Sequence, residues 1–132
     1  MENMENMVEV LVVDDEPAVA LAIKSALKFC GYAVTTAHNG QTALDLIEAE
    51  PGRFAVLLSD HNMPGIGGTA LVRALRAAGF PGRILILSAY LTQENEAIYE
   101  SLGVDQILSK PFSLSRLRLA LETCLNPAGC PS

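Results

Sequence analysis

Tryptophan is absent from the 132 residues, aromatic residues make up 5%, and nine Lys and Arg stand against fifteen Asp and Glu. The formal net charge is -6 and no basic residue precedes Lys24. The chain therefore lacks the cationic footprint that neutralises nucleic-acid phosphates, and direct nucleic-acid binding is not expected. Its three cysteines, Cys30, Cys124 and Cys130, form no CxxC pair and have no His at zinc-ligand spacing, which disfavours a zinc site and fits a reduced, cytoplasmic setting. No apolar run approaches the roughly 18 residues that span a bilayer. The opening residues Met1 to Met7 are acidic where a secretory leader would be basic, and Cys130 is followed by only two residues, which does not match a prenylation signal. Neither a membrane span nor a lipid anchor is expected.

What is present is a core. Half of the residues are hydrophobic and 18% are charged, a balance that buries a globular interior at the length of one ordinary domain. The expected organisation is a leader over 1–7, one folded domain over 8–125, and a Pro/Gly tail over 126–132 (NPAGCPS). Within the domain, Val8 to Val13, Ala33 to Ala37, Phe54 to Ser59, Arg83 to Ser88 and Gln106 to Leu108 read as strands. VEVLVV, FAVLLS and RILILS are almost continuously apolar, as in parallel strands covered by helices on both faces.

The segments between them carry helix punctuation. Pro17 opens one that ends at Gly31, Asn39-Gly40 opens one that ends near Pro51, and Gly68 and Gly79 bracket LVRALRAA. Gln93 to Leu102 is a polar helix closed by Gly103. Ser113 to Leu125 has an N-cap serine and places Leu114, Leu117 and Leu121 on one face. The predicted fold is α/β: a single (βα)5 doubly wound domain whose five-stranded parallel sheet has the flavodoxin-like order 2-1-3-4-5. That order makes strands 1 and 3 neighbours at the switch point, where ligands collect beyond the carboxyl ends of strands.

Four of the predicted strands run into polar residues: the first into Asp14 and Asp15, the third into Asp60, the fourth into Ser88, the fifth into Lys110. Singly, each has an ordinary structural reading as a helix cap, a turn or a solvated charge. Jointly they describe a site. Three carboxylates converging on one crevice repel one another unless protons or a cation offset the charge. Oxygen ligands with positions left open for water and a phosphoryl group suit Mg²⁺ better than Ca²⁺, which takes roughly six to eight oxygens. A hydroxyl at Ser88 and an ammonium at Lys110 would complete an anion site, with Asp60 as the candidate nucleophile toward phosphorus.

With these residues in place the sequence resembles the receiver domain of two-component response regulators, the CheY-like domains, over about Val8 to Leu125. The resemblance lies in LVVDDEPAV, in AHNGQTAL after the second strand, in SDHNMPGIGG around Asp60, in LSAY, and in the Lys-Pro-Phe of LSKPFS. It implies that Asp60 accepts a phosphoryl group from a histidine kinase or a phosphotransfer protein. Mg²⁺ would be held by Asp15, Asp60 and the backbone carbonyl of Asn62, with Asp14 bound through water. It further implies that the Ser88 hydroxyl moves toward the phosphoryl group, that Lys110 pairs with it, and that Lys110-Pro111 is cis. Asn62 and Tyr90, each two residues beyond a site residue, would flank the path of hydrolytic water and set the phosphoryl lifetime.

The sequence departs from the family at Ile107, where relatives commonly carry a switch aromatic; an aliphatic side chain cannot make that rotamer change, and here it is expected to be buried in the strand. Coupling would then run through backbone and loop shifts around Ser88. His61, where relatives more often have an apolar residue, reads as an ordinary histidine, since no second His or Cys accompanies it. Gly67 stands where an acidic residue is common.

The expected function is a stand-alone phospho-acceptor switch, not an enzyme beyond its own phosphorylation and dephosphorylation. It would signal to a downstream protein through the face made by Gln93–Leu102, Gln106–Leu108 and Ser113–Leu125, where Leu119 could mark a partner or homodimer contact. A receiver cut from a larger regulator or hybrid histidine kinase is the alternative. A haloacid-dehalogenase-like phosphatase would need a second Asp two residues after its nucleophile; Asp60 is followed by Asn62, and Asp14 by Glu16. No strand is followed by a glycine-rich nucleotide-binding loop, and the full set Asp14, Asp15, Asp60, Ser88 and Lys110 argues against a degenerate receiver that only binds partners.

Overall fold

The computed structural model describes residues 7–125; all but the last residue of the expected leader, the whole of the expected tail, and Cys130 lie outside the described residues. Five strands and five helices alternate: β1 (Glu9–Val13), α1 (Pro17–Phe29), β2 (Ala33–Ala37), α2 (Gly40–Ala49), β3 (Val56–Asp60), α3 (Gly68–Ala77), β4 (Arg83–Ser88), α4 (Gln93–Ser101), β5 (Gln106–Ser109) and α5 (Leu114–Leu125). All pairings are parallel. The strand order is β2-β1-β3-β4-β5, as the alternating pattern predicts.

The alternation of side chains along each strand divides the core into two layers. Leu11, Val13, Leu57, Ile84 and Ile86 pack with Ala43, Ile47, Leu71, Val72, Leu75 and Tyr99 from α2, α3 and α4. Val10, Val12, Val56, Leu58, Leu85 and Leu87 pack with Ala20, Ile23, Leu27, Leu117 and Leu121 from α1 and α5. The continuous apolar runs thus serve two cores at once. All five residues of β3 are buried; flanked by β1 and β4, it delivers Asp60 to the middle of the sheet's carboxyl edge.

Helix starts follow local chemistry. Pro17 occupies the first turn of α1. Asn39 Oδ1 accepts the amide of Thr42 at 2.8 Å, Thr92 Oγ1 that of Asn95 at 3.1 Å, and Ser113 Oγ that of Arg116 at 3.2 Å. Each satisfies an amide that the first turn would leave unpaired. The chain leaves α1 through Gly31 at φ 99°, a left-handed conformation costly to residues with a Cβ.

Three local expectations change. The third strand starts at Val56, not Phe54, and runs on into Asp60, which pairs with Leu87; the His61 amide then donates to the Leu87 carbonyl at 2.9 Å, so the ladder itself holds the acid in register. Ile107, expected buried, is 38% exposed. It belongs to the edge strand β5, where it alternates with the buried Leu108 and so projects from the opposite face. Leu114, expected on the apolar face of α5, is 61% exposed while Leu117 and Leu121 are buried; as the first residue of the helix it lies on the rim of a groove against α1.

Candidate functional site

The carboxyl ends of β1 and β3 bring three acids together. Asp14, Asp15 and Asp60 each place a carboxylate oxygen within 4.8 Å of the others. Asp14 is 0% exposed, its Oδ1 accepts the amide of Glu16 at 2.9 Å, and its buried Oδ2 has no hydrogen-bond partner. Burial is the main reason its pKa lies above the ordinary aspartate value; the charges of Asp60 and Asp15 act the same way, and the Glu16 amide and Lys110 act against them. Asp60 is buried and Asp15 half-buried.

The expected cation arrives from β5. Lys110 Nζ is 3.3 Å from Asp60 Oδ1 and 3.9 Å from Asp14 Oδ2. The Lys110 amide donates to the Ser88 carbonyl at 2.8 Å, which anchors the residue carrying the ammonium to β4, and Lys110-Pro111 is cis. One ammonium facing three carboxylates leaves the cluster negative, and one buried oxygen is without a donor. That is the donor set a small, hard divalent cation fits.

Ser88 ends β4, the strand beside β3, and is buried. Its hydroxyl is engaged locally: Oγ donates to the Tyr90 carbonyl at 2.8 Å and accepts the Tyr90 amide at 3.1 Å. Moving that hydroxyl toward Asp60 means giving up the Tyr90 carbonyl. Asn62 and Tyr90 are both exposed beyond the site. Ile107 lies one strand further out, on β5.

His61 has more partners than its sequence context indicates. Its Nδ1 is 2.6 Å from the hydroxyl of Tyr99 and its Nε2 3.4 Å from Asn95 Nδ2, both on α4. The two rings meet edge to face at 5.6 Å. Burial lowers the His61 pKa against the opposing charge of Asp60, and burial raises that of Tyr99. The cluster was missed because 38 residues separate the two rings; the one local sign was a polar ring where the family resemblance leads one to expect an apolar residue.

The family pattern described as response regulator receiver domain matches residues 10–122. The chain belongs to the response regulator receiver domain family. The receiver domain is 36% identical over 118 residues to the response regulator MprA of Mycobacterium tuberculosis, a match covering 89% of this chain and 50% of that protein. The chain thus spans about half the length of the relatives it matches. Among solved structures it is similar to the chemotaxis protein CheY4 of Vibrio cholerae, with a TM-score of 0.83, 32% identity, and coverage of 89% of this chain and 98% of that one. A CheY-like receiver domain protein from Methanospirillum hungatei superposes with a TM-score of 0.87 at 26% identity, covering 92% and 96% of the two chains.

Elsewhere, Cys30 is exposed and Cys124 buried, with no disulfide among the described residues. Burial, with the charge of Asp105, pushes the Cys124 thiol up to about 12; it is a packing residue. Among the described residues no helix is long and apolar enough to cross a membrane.

Proposed function

We propose that this receiver domain is a phospho-acceptor switch in which Asp60 takes a phosphoryl group from a phosphohistidine on a kinase or phosphotransfer protein. The observation that carries the reading is the convergence of Asp14, Asp15 and Asp60, with an orphaned buried oxygen on Asp14 and Lys110 in contact with Asp60. Asp14, Asp15 and Asp60, with the backbone carbonyl of Asn62, would hold Mg²⁺. When bound, that ion neutralises charge on the carboxylates and on the transferred group.

An oxygen of Asp60 forms the bond to phosphorus as the phosphorus–nitrogen bond of the donor breaks and its imidazole leaves. Lys110, already 3.3 Å from Asp60, meets the charge that develops on the phosphoryl oxygens. Ser88 exchanges its bond to the Tyr90 carbonyl for one to the same group. Asn62 and Tyr90 stand at the open side, where the approach of water sets how long the adduct lasts. The domain does not turn over other substrates: the position two beyond Asp60 holds an amide, Asn62, which supplies no general acid.

The new charge at Asp60 biases the Ser88 loop and the face of α4, β5 and α5, where Ile107 and Leu119 are exposed and available to a downstream protein or a second copy of the chain. Such signalling takes place in the cytoplasm, where the phosphodonor is made. The first reading is a domain that acts alone; the second is a receiver within a longer regulator or hybrid kinase, which the half-length match to the relatives favours.

The test is incubation of the chain with acetyl phosphate and Mg²⁺, followed by intact-mass measurement. One alkali-labile phosphoryl adduct, lost in Asp60→Asn, is the expected outcome. Continuous phosphate release from many donors would indicate a phosphatase, and no adduct a domain that only binds partners.

A further inference from the structure

α4 is a nine-residue polar helix with a single buried side chain, Tyr99, which is 0% exposed. The hydroxyl of that one anchor is bonded to the imidazole of the residue that follows Asp60. A glycine makes this possible: a Cβ at Gly68 would collide with the Tyr99 hydroxyl and crowd the His61 Cα at 3.0 Å. The Gly68 amide also donates to the His61 carbonyl at 3.0 Å, so the hydroxyl lies in a notch built by Gly68 and His61. Asn95, one turn before Tyr99 on α4, approaches the other ring nitrogen. With Asn95 Nδ2 donating to Nε2, the neutral ring carries its proton on Nδ1 and donates to Tyr99.

We propose that the His61–Tyr99 hydrogen bond, with Asn95 beside it, couples the state of Asp60 to α4, a positioning role in this chain that the exposed Ile107 cannot fill. The inference rests on the reading of Asp60 as phosphoacceptor. The physical reason is connectivity. Asp60 and His61 share a peptide group, and the His61 amide is tied to Leu87 of β4, next to Ser88. A rearrangement around Asp60 and Ser88 therefore displaces the imidazole. The Tyr99 hydroxyl, buried away from water, must follow it or lose its partner. Because Tyr99 is the only buried side chain of α4, following the imidazole moves the helix.

The test uses the full chain, phosphorylated with acetyl phosphate and Mg²⁺, with the adduct measured by intact mass and the α4 amides (Gln93–Ser101) followed by NMR. In the wild type the α4 amides shift on phosphorylation. Tyr99→Phe, which keeps the ring and removes only the hydroxyl, should form the adduct at the wild-type level while the α4 shifts shrink several-fold. His61→Leu should do the same from the other side. His61→Asn, whose side-chain amide stands near the place of Nδ1, should restore them. Full adduct with undiminished α4 shifts in both Tyr99→Phe and His61→Leu would overturn the coupling and leave the phosphoacceptor reading intact; no adduct in the wild type would remove both.

Discussion

Lys110 reaches from the end of β5 to Asp60 on β3, its Nζ 3.3 Å from Oδ1, although β4 lies between the two strands. No other Lys or Arg forms an ion pair with the acidic cluster among the described residues. On the proposed mechanism, replacing it with an apolar chain of similar length, Lys110→Met, removes the positive charge that meets the transferred group. The initial rate of adduct formation from acetyl phosphate should fall by about 100-fold, the loss typical of deleting one preorganised electrostatic contact. An unchanged rate would show that the lysine has no part in the transfer.

Asp14 gives a stability prediction of opposite sense. Its buried charge sits beside two other carboxylates, and Oδ2 has no hydrogen-bond donor, with Lys110 Nζ no nearer than 3.9 Å, so in metal-free buffer Asp14→Asn should stabilise the fold by about 1 kcal/mol at neutral pH. The pKa of Asp14 is raised in the folded state, which means the native protein holds this proton more tightly than the unfolded chain. The associated stability is fully present below the ordinary value and is lost as pH rises through the folded value. Urea melts in EDTA should therefore show the advantage of Asp14→Asn over wild type growing from about pH 4 until Asp14 is fully ionised. A difference that is flat with pH would contradict the account.

Ser88 is held by Tyr90 through both the backbone carbonyl and the backbone amide. If its hydroxyl leaves that turn on phosphorylation, the Tyr90 amide resonance should shift in the wild type. In Ser88→Ala the Tyr90 shift should largely disappear while the adduct still forms more slowly. Equal Tyr90 shifts in the two proteins would mean the hydroxyl does not move.

Arg76 makes a prediction away from the site. Its guanidinium donates to the carbonyls of Leu102, Gly103, Phe80 and Gly82 at 2.9 to 3.0 Å, fastening α3 to the turn before β4 and to the turn between α4 and β5. Arg76→Ala should lower unfolding free energy by about 2 kcal/mol, as expected when bonds from a charged donor are lost, and leave adduct formation unchanged. Chemical denaturation and the intact-mass assay read the two quantities separately.

The parallel, doubly covered sheet was legible because β1, β3 and β4 are apolar at nearly consecutive positions, and its order followed from the alternation of strands and helices with right-handed crossovers. The site was legible for a related reason: Asp14, Asp15, Asp60, Ser88 and Lys110 stand immediately at or after strand ends, and in this topology strand ends converge. Ile107 was misjudged because Ile107 and Leu108 are adjacent aliphatic residues on opposite faces of a short edge strand, and the sequence does not reveal which of the two is covered. Leu114 fits the helical period of Leu117 and Leu121, yet periodicity says nothing about where the neighbouring helix stops covering it. The His61–Tyr99 bond was not legible because the polar ring after Asp60 does not name its partner; the contact forms only once the end of β3 and α4 are brought together.

The most direct test of the central claim, that the three acids form a Mg²⁺ site supporting phosphorylation of Asp60, is a Mg²⁺ titration of the unphosphorylated chain followed by amide NMR. Saturable shifts in the millimolar range, concentrated at Asp14, Asp15, Asp60 and Asn62 and abolished by Asp15→Asn, are the predicted result. Resonances at these positions that stay unmoved through millimolar Mg²⁺ would contradict it.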